Sequence, residues 1–320
     1  QALSNTAAPV LAVIIPAYRV AAKVAAVIAD IPPEVAHIVV VDDACPEGSG
    51  DIIAALDNKR LHLVRHTENQ GVGGAVVSGY RQALELGADV MVKIDGDGQM
   101  DPAILHKIAG PVMSGEADYA KGNRFADFRT LKRMPTVRLL GNSGLSFLLK
   151  AASGYWTMLD PTNGYTAIHA RALEKLELDR LDRRYFFESD LLIRLGTVSA
   201  VVVDVQMEAR YADENSSLNI PKTMLEFPGK ILRGLLRRLF LRYFIYDFNM
   251  ASVYLMVSVP LLLFSFLFGI YQWIDSSQTG IARPLGTIMV VIIPLILGFQ
   301  MLLQAIAFDV ASTPKRRNPE

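Results

Sequence analysis

The sequence is short of cysteine and tryptophan and has no surplus of either charge. One cysteine in 320 residues, Cys45, excludes an internal disulfide framework and a cysteine-built zinc site. A formal net charge of zero argues against nucleic acid as a partner. No internal repeat or low-complexity stretch stands out. Residues 1–9 carry no positive charge, and the first apolar run, Val10–Ile15, has the length of a strand, so no secretory signal is expected. The 51% of hydrophobic residues is ample for a core that needs neither disulfide nor structural metal.

The charge that is present is unevenly placed. Residues 1–220 hold 22 Lys and Arg against 27 Asp and Glu, whereas residues 221–320 hold 10 against 5. The second segment also contains two runs without any charge, 27 residues from Phe248 to Ile274 and 25 from Pro284 to Phe308. Roughly 20 apolar residues cross a bilayer, so each run predicts a transmembrane helix, over about 248–274 and 284–308. Pro260 and Pro294 fall mid-run, which membrane helices tolerate. Lys222, Lys230, Arg233, Arg237, Arg238 and Arg242 precede the first run, and Lys315, Arg316 and Arg317 follow the second. Basic flanks predict that the head and both termini are cytoplasmic. The lone cysteine agrees with a reducing compartment.

Between Pro228 and Asp247 the helical period puts Leu232, Leu235, Leu236, Leu239 and Tyr243 on one face. Lys230, Arg233, Arg237, Arg238 and Arg242 fall on the opposite half. This predicts an amphipathic helix in the membrane interface, its basic face toward anionic headgroups. The expected organisation is a soluble head over 1–220, an interfacial region over 221–247 and a membrane part over 248–320.

Within the head, short apolar runs alternate with helical patterns. Val10–Ile15, Ile38–Val41, Leu61–Val64 and Val90–Ile94 read as buried strands, with helices near 20–29, 50–57 and 73–87. That alternation predicts an α/β fold, a mostly parallel sheet with helices on both faces. Ligands of such sheets lie beyond the carboxyl ends of the strands. Pro16-Ala17-Tyr18, Asp42-Asp43 and Asp95-Gly96-Asp97 all sit at such ends. Asp95 and Asp97, with a neutral oxygen from Gln99, suit a hard divalent cation that keeps places for substrate phosphates. The other reading of the segment is a plain Asp/Gly turn, with Asp101 capping a helix that opens at Pro102. Asn69-Gln70-Gly71-Val72-Gly73-Gly74-Ala75 opens a helix after the third strand. Its spacing lacks the third small residue of a dinucleotide fingerprint and it follows the wrong strand. The five histidines show no ligand spacing.

Together these residues resemble family 2 glycosyltransferases of the GT-A (Rossmann-like) fold, and within them the polyprenyl-phosphate sugar transferases. The resemblance rests on Val13-Ile14-Ile15-Pro16-Ala17-Tyr18, Val40-Val41-Asp42-Asp43, Asn69 to Ala75, and Asp95-Gly96-Asp97-Gly98-Gln99 followed by Asp101-Pro102. Further on it rests on Gly122-Asn123-Arg124, Asp160 to Tyr165, Phe187-Glu188-Ser189-Asp190 and Arg210-Tyr211. Arg19-Val20 stand where the family has a polar pair, and the Gln-x-x-Arg-Trp motif of processive synthases is absent. The resemblance implies a nucleotide-diphosphate sugar held by Pro16, Ala17, Tyr18, Asp42, Asp43, Asn69, Gly71, Asp95, Gly96 and Arg210. It implies Mg²⁺ or Mn²⁺ on Asp95, Asp97 and Gln99. Asp97, Arg124, Arg138, Glu188 and Asp190 are the implied catalytic set, with Arg124 and Arg138 gripping the phosphate of a polyprenyl (undecaprenyl) phosphate acceptor. The implied reaction inverts the anomeric carbon, with UDP preferred over GDP, at a bacterial inner membrane. A phosphate oxyanion needs no strong general base. A different acceptor, and a catalytically silent membrane scaffold, are the competing readings. Helix packing in the bilayer allows a homo-oligomer.

Overall fold

The computed structural model describes residues 8–124, 136–207 and 220–318. Among these, seven strands form one sheet: β1 (Leu11–Ala17), β2 (His37–Asp42), β3 (Leu61–Arg65), β4 (Val90–Lys93), β5 (Tyr119–Asn123), β6 (Thr166–His169) and β7 (Val202–Gln206). Their order is β3-β2-β1-β4-β6-β5-β7. Every neighbouring pair is parallel except those of β6, which runs antiparallel to β4 and β5. The expected strands are all present. Continuous runs such as Ala12 to Ile15 are fully buried because both faces of a parallel sheet are covered.

Side chains alternate between two cores. Val13, Ile15, Val40 and Val92 meet α1 (Val24–Ala29), α2 (Ser49–Ala54) and α4 (Leu105–Met113). Ile14, Val39, Met91 and Tyr119 meet α3 (Gly71–Glu85) and α7 (Phe187–Thr197) on the other face. Two further helices of the head are α5 (Thr136–Ser153) and the short α6 (Ala170–Leu173). The chain turns from β1 in opposite directions to reach β2 and β4, so a crevice opens beyond the carboxyl ends of β1 and β4.

The chain divides into two compact units, Gln1–Arg238 with Pro314–Glu320, and Leu239–Thr313. α8 (Ile220–Phe240), which belongs to the first as far as Arg238, departs from the simple two-faced helix its sequence suggests. Leu232, Leu236 and Arg233 are exposed, but Ile231 and Leu235 pack on Leu149, Ala152 and Ile193. Lys230 pairs with Asp182 at 2.5 Å, and the fully buried Arg238 donates to the Ala151 carbonyl at 3.0 Å. These two basic residues turn into the head because carboxylates and the carbonyl end of α5 recruit them. The headgroup-facing role expected of them does not fit that placement. The chain re-enters this unit at Pro314, where Arg317 makes two bonds to the buried Asp118, at 2.6 and 3.2 Å.

The second unit is a helical hairpin of α9 (Met250–Thr279) and α10 (Leu285–Ala311). Asn249 and Ser252 form a capping box at the start of α9, and Gly280, at φ +67°, ends it. Gly269 lies against Val291 and Gly298 against Leu261 and Leu262, so small residues let antiparallel helices approach. Tyr243 donates to Asp309 at 2.5 Å within this unit. Both helices are long and apolar enough to cross a membrane, and only 11% and 6% of their most apolar stretches is buried. Core helices of a soluble domain would be covered.

Candidate functional site

The crevice is assembled by close backbone approach. Gly96 lies against the Pro16 carbonyl, 3.4 Å from where a Cβ would stand. That contact brings Asp95-Gly96-Asp97 beside Pro16-Ala17-Tyr18, with the Tyr18 ring half exposed. Asp97 accepts from the Gln99 amide at 3.0 Å across a turn in which Gly98 has φ +75°. Asp101 caps the following turn, accepting from the Ala103 amide at 3.0 Å, with Pro102 first in that turn.

Asp95 is held from below by a residue that its motif does not contain. Lys93, the last residue of β4, is 1% exposed and reaches Asp95 at 2.9 Å and Glu188 at 3.1 Å. Burial alone would push the Lys93 pKa down. The Asp95 and Glu188 carboxylates more than reverse this and hold it above its ordinary value. The lysine thus joins the turn after β4 to the first turn of α7. Gly164 stands where a Cβ would come 2.8 Å from the Lys93 Nζ, so the turn before β6 closes over this pair.

Asp42 and Asp43 have different fates. Asp43 is 2% exposed and spends both carboxylate oxygens inside the protein. One accepts from the Gln70 amide and the other from the Gly71 amide, each at 2.8 Å, at the N-terminus of α3. His66 joins it at 2.7 Å and reaches Ser78 through the other ring nitrogen at 2.8 Å. His66 is therefore a scaffold residue, and Asn69 donates to the Asp43 carbonyl at 3.4 Å. Asp42 accepts from the Cys45 amide at 2.9 Å, and Cys45 Sγ accepts from Ser49 and from the Arg19 amide. The glycines that open α3 are explained by the 182–187 loop. A Cβ at Gly71 would stand 2.5 Å from the Arg183 carbonyl, and one at Gly73 would stand 2.3 Å from that of Asp182. The same loop is organised by Asp190, which accepts from the Asp182 amide and from Arg194, each at 3.0 Å.

The other side of the site lies at the end of β5. Arg124 forms a forked pair with Asp160, at 2.8 and 3.1 Å, and Asp160 is completely buried. Beneath it Lys121 is also completely buried. Arg138 falls in the first turn of α5, its side chain outside those described, and Arg210 lies outside the described residues. The structure thus brings Asp95, Asp97, Gln99, Gly96 and Pro16–Tyr18 together and links Glu188 to them. Asp43, Asn69 and Gly71 are joined in a cluster of their own. Sequence reasoning missed Lys93, Lys121 and the pairing role of Asp160. The signal for Lys93 was a charge ending an otherwise apolar strand, and for Lys121 a charge in mid-strand after Tyr119-Ala120.

The oxygen-only set of Asp95, Asp97 and Gln99 fits a hard divalent cation that shares its coordination with a phosphate ligand. Among the described residues no group of three or more His, Cys, Asp or Glu forms a closed metal cage. Two carboxylates would leave places in the shell of such a cation for substrate oxygens.

Residues 12–177 match the model of "Glycosyl transferase family 2". The chain is 31% identical over 171 residues to the UDP-N-acetylglucosamine–dolichyl-phosphate N-acetylglucosaminyltransferase of Methanococcus voltae, covering 49% of this chain and 68% of that one. It is 32% identical over 216 residues to the polyprenol monophosphomannose synthase of Mycolicibacterium smegmatis, covering 63% and 78%. It is 32% identical over 179 residues to the undecaprenyl-phosphate mannosyltransferase of Micrococcus luteus, covering 55% and 72%. Among solved structures, glucosyl-3-phosphoglycerate synthase of Mycobacterium tuberculosis, with Mn²⁺, UDP-glucose and phosphoglyceric acid, shares the fold. Its TM-score is 0.51 at 20% identity, over 72% of this chain and 79% of that one. The sheet order, the acidic turn after β4 and these likenesses converge on the GT-A fold, and the chain belongs to glycosyl transferase family 2 as a sugar-transferring enzyme.

Proposed function

We propose that the protein transfers a sugar from a nucleotide-diphosphate donor to a polyprenyl monophosphate in a bacterial inner membrane. One observation carries this reading above others within the family: the head continues into two apolar helices of 30 and 27 residues. The relatives named for dolichyl, polyprenol and undecaprenyl phosphate acceptors support it. UDP is the preferred nucleotide, and the anomeric carbon is inverted.

Mg²⁺ or Mn²⁺ on Asp95, Asp97 and Gln99 would supply a Lewis acid for the departing nucleotide diphosphate. Lys93 fixes the rotamer of Asp95 and ties it to Glu188. Pro16, Ala17, Tyr18, Gly96 and Asp42 line the donor side. Asp43, Asn69 and Gly71 shape its wall by fixing the start of α3. Arg210 meets the donor pyrophosphate. Arg124, pre-oriented by Asp160, presents its guanidinium edge to the acceptor phosphate, joined by Arg138. Asp190 holds the loop ahead of α7 in place. The acceptor oxyanion attacks as it is, so the rate comes from positioning and electrostatics.

The head spans 1–220, the interfacial region 221–247 and the membrane part 248–320. Two spans return the chain to the side it left, and the basic residues flanking them support a cytoplasmic placement of both flanks. The test offers UDP-hexoses with either undecaprenyl phosphate or glycerol 3-phosphate to the full chain in detergent. Label should enter the lipid acceptor only. Label entering glycerol 3-phosphate alone would remove the lipid reading.

A further inference from the structure

Lys121 stands out because the fold gains nothing visible from it. It is completely buried on β5, and among the described residues no hydrogen-bond partner meets its Nζ. Register places it in one row across the sheet, with Lys93 on β4, Thr166 on β6 and Asp204 on β7. Lys93 in the same row is satisfied by two carboxylates. Lys121 pairs with none among the described residues, although the charges of Glu188, Asp160 and Asp204 act on it, opposed by that of Lys93. An unpaired buried ammonium destabilises a fold, and a methionine of similar volume would not. A group kept at such a site is accounted for by chemistry nearby.

The neighbours say what that chemistry is. Glu188 holds Lys93, and through it Asp95. Asp160 holds Arg124. Lys121 lies among the carboxylates of both pairs, and its charge offsets theirs. Without it, the surplus negative charge would draw Arg124 more firmly onto Asp160 and weaken the positive potential offered to an incoming phosphate. We infer that Lys121 is a positioning residue for transfer, acting through Asp160 and Glu188 to keep Arg124 available to the acceptor phosphate. The inference rests on the proposed function above. Burial, partly offset by Glu188 and Asp160, lowers the Lys121 pKa to about 8, in keeping with a charge the surroundings only partly support.

The test compares wild type, Lys121→Met and Lys121→Arg as full chains in detergent, with initial rates at varied undecaprenyl phosphate and varied donor, and a thermal melt of each. Lys121→Met should raise KM for the lipid phosphate about 10-fold, change donor KM less than about 2-fold, and melt at the wild-type temperature or above it. Lys121→Arg, which keeps the charge, should recover most of the lost acceptor affinity. Wild-type constants for both substrates in Lys121→Met would overturn the inference. So would a lower melting temperature with parallel loss of all activity, the mark of a structural role. Absence of lipid-phosphate transfer in the wild type would instead overturn the proposed function, a distinct result.

Discussion

Lys93 and Lys121 occupy the same row of the same sheet face, are equally buried, and behave oppositely. Lys93 sits between two carboxylates, and its pKa is raised. Lys121 sits near three and, among the described residues, pairs with none, and its pKa is lowered to about 8. Burial therefore does not decide what a lysine does in this sheet; partners do. The contrast divides the site into a β4 side, tied together by ion pairs that end in Asp95, and a β5 side, where Arg124 is forked onto Asp160 at the end of the strand that carries Lys121.

The β4 side breaks most sharply at Asp97. Asp97→Ala should lower turnover about 100- to 1,000-fold while the melting temperature stays within about 2 °C, because the half-buried Asp97 belongs to neither core. Wild-type turnover with metal present would take Asp97 out of the site. Removing the satisfied lysine is the matching stability experiment. Lys93→Met strands Asp95 and Glu188 beside each other and should destabilise the head by about 3 kcal/mol. A thermal melt checks this, and an unchanged melting temperature would mean that the pair contributes nothing net.

On the β5 side, Arg124→Ala should raise KM for the lipid phosphate about 10- to 100-fold and leave donor KM nearly unchanged. Asp160→Asn should raise KM for the lipid phosphate less, since the guanidinium stays and loses only the carboxylate that aims it. An effect on the donor alone would place Arg124 at the pyrophosphate instead. The smallest effect is on pH dependence. The Lys121 pKa is about 8 in the fold against an ordinary 10.5, so the unfolded chain holds the proton more tightly between those values. Wild-type stability relative to Lys121→Met should therefore rise from pH 8 toward pH 10.5 and be constant below pH 8. A flat difference across that range would contradict the lowered pKa.

Much of this was legible in the sequence. The four leading strands, the glycine-rich helix start and the acidic turn are local patterns, and local patterns survive into the fold. The two apolar runs are helices as expected, although α9 continues past Asp275 to Thr279 because no breaker precedes Gly280. The remainder depended on pairing between distant segments, which no periodicity records. Lys93 meets Glu188 across 95 residues, and Arg124 meets Asp160 across 36. Asp43 reads as a ligand contact in the motif, yet its oxygens are both bound to the start of α3. Lys230 and Arg238 read as a membrane-facing stripe, yet the head recruits both. In each case a tertiary partner set the role of a residue whose local sequence suggested another.

Sugar transfer to a lipid phosphate is tested directly by a panel of radiolabelled UDP- and GDP-sugars with undecaprenyl phosphate, in Mn²⁺, Mg²⁺ or EDTA. A chloroform-soluble labelled product should form from a UDP-sugar with either metal and be lost in EDTA. Water-soluble label from every donor, with metal present and nucleotide bound, would contradict it.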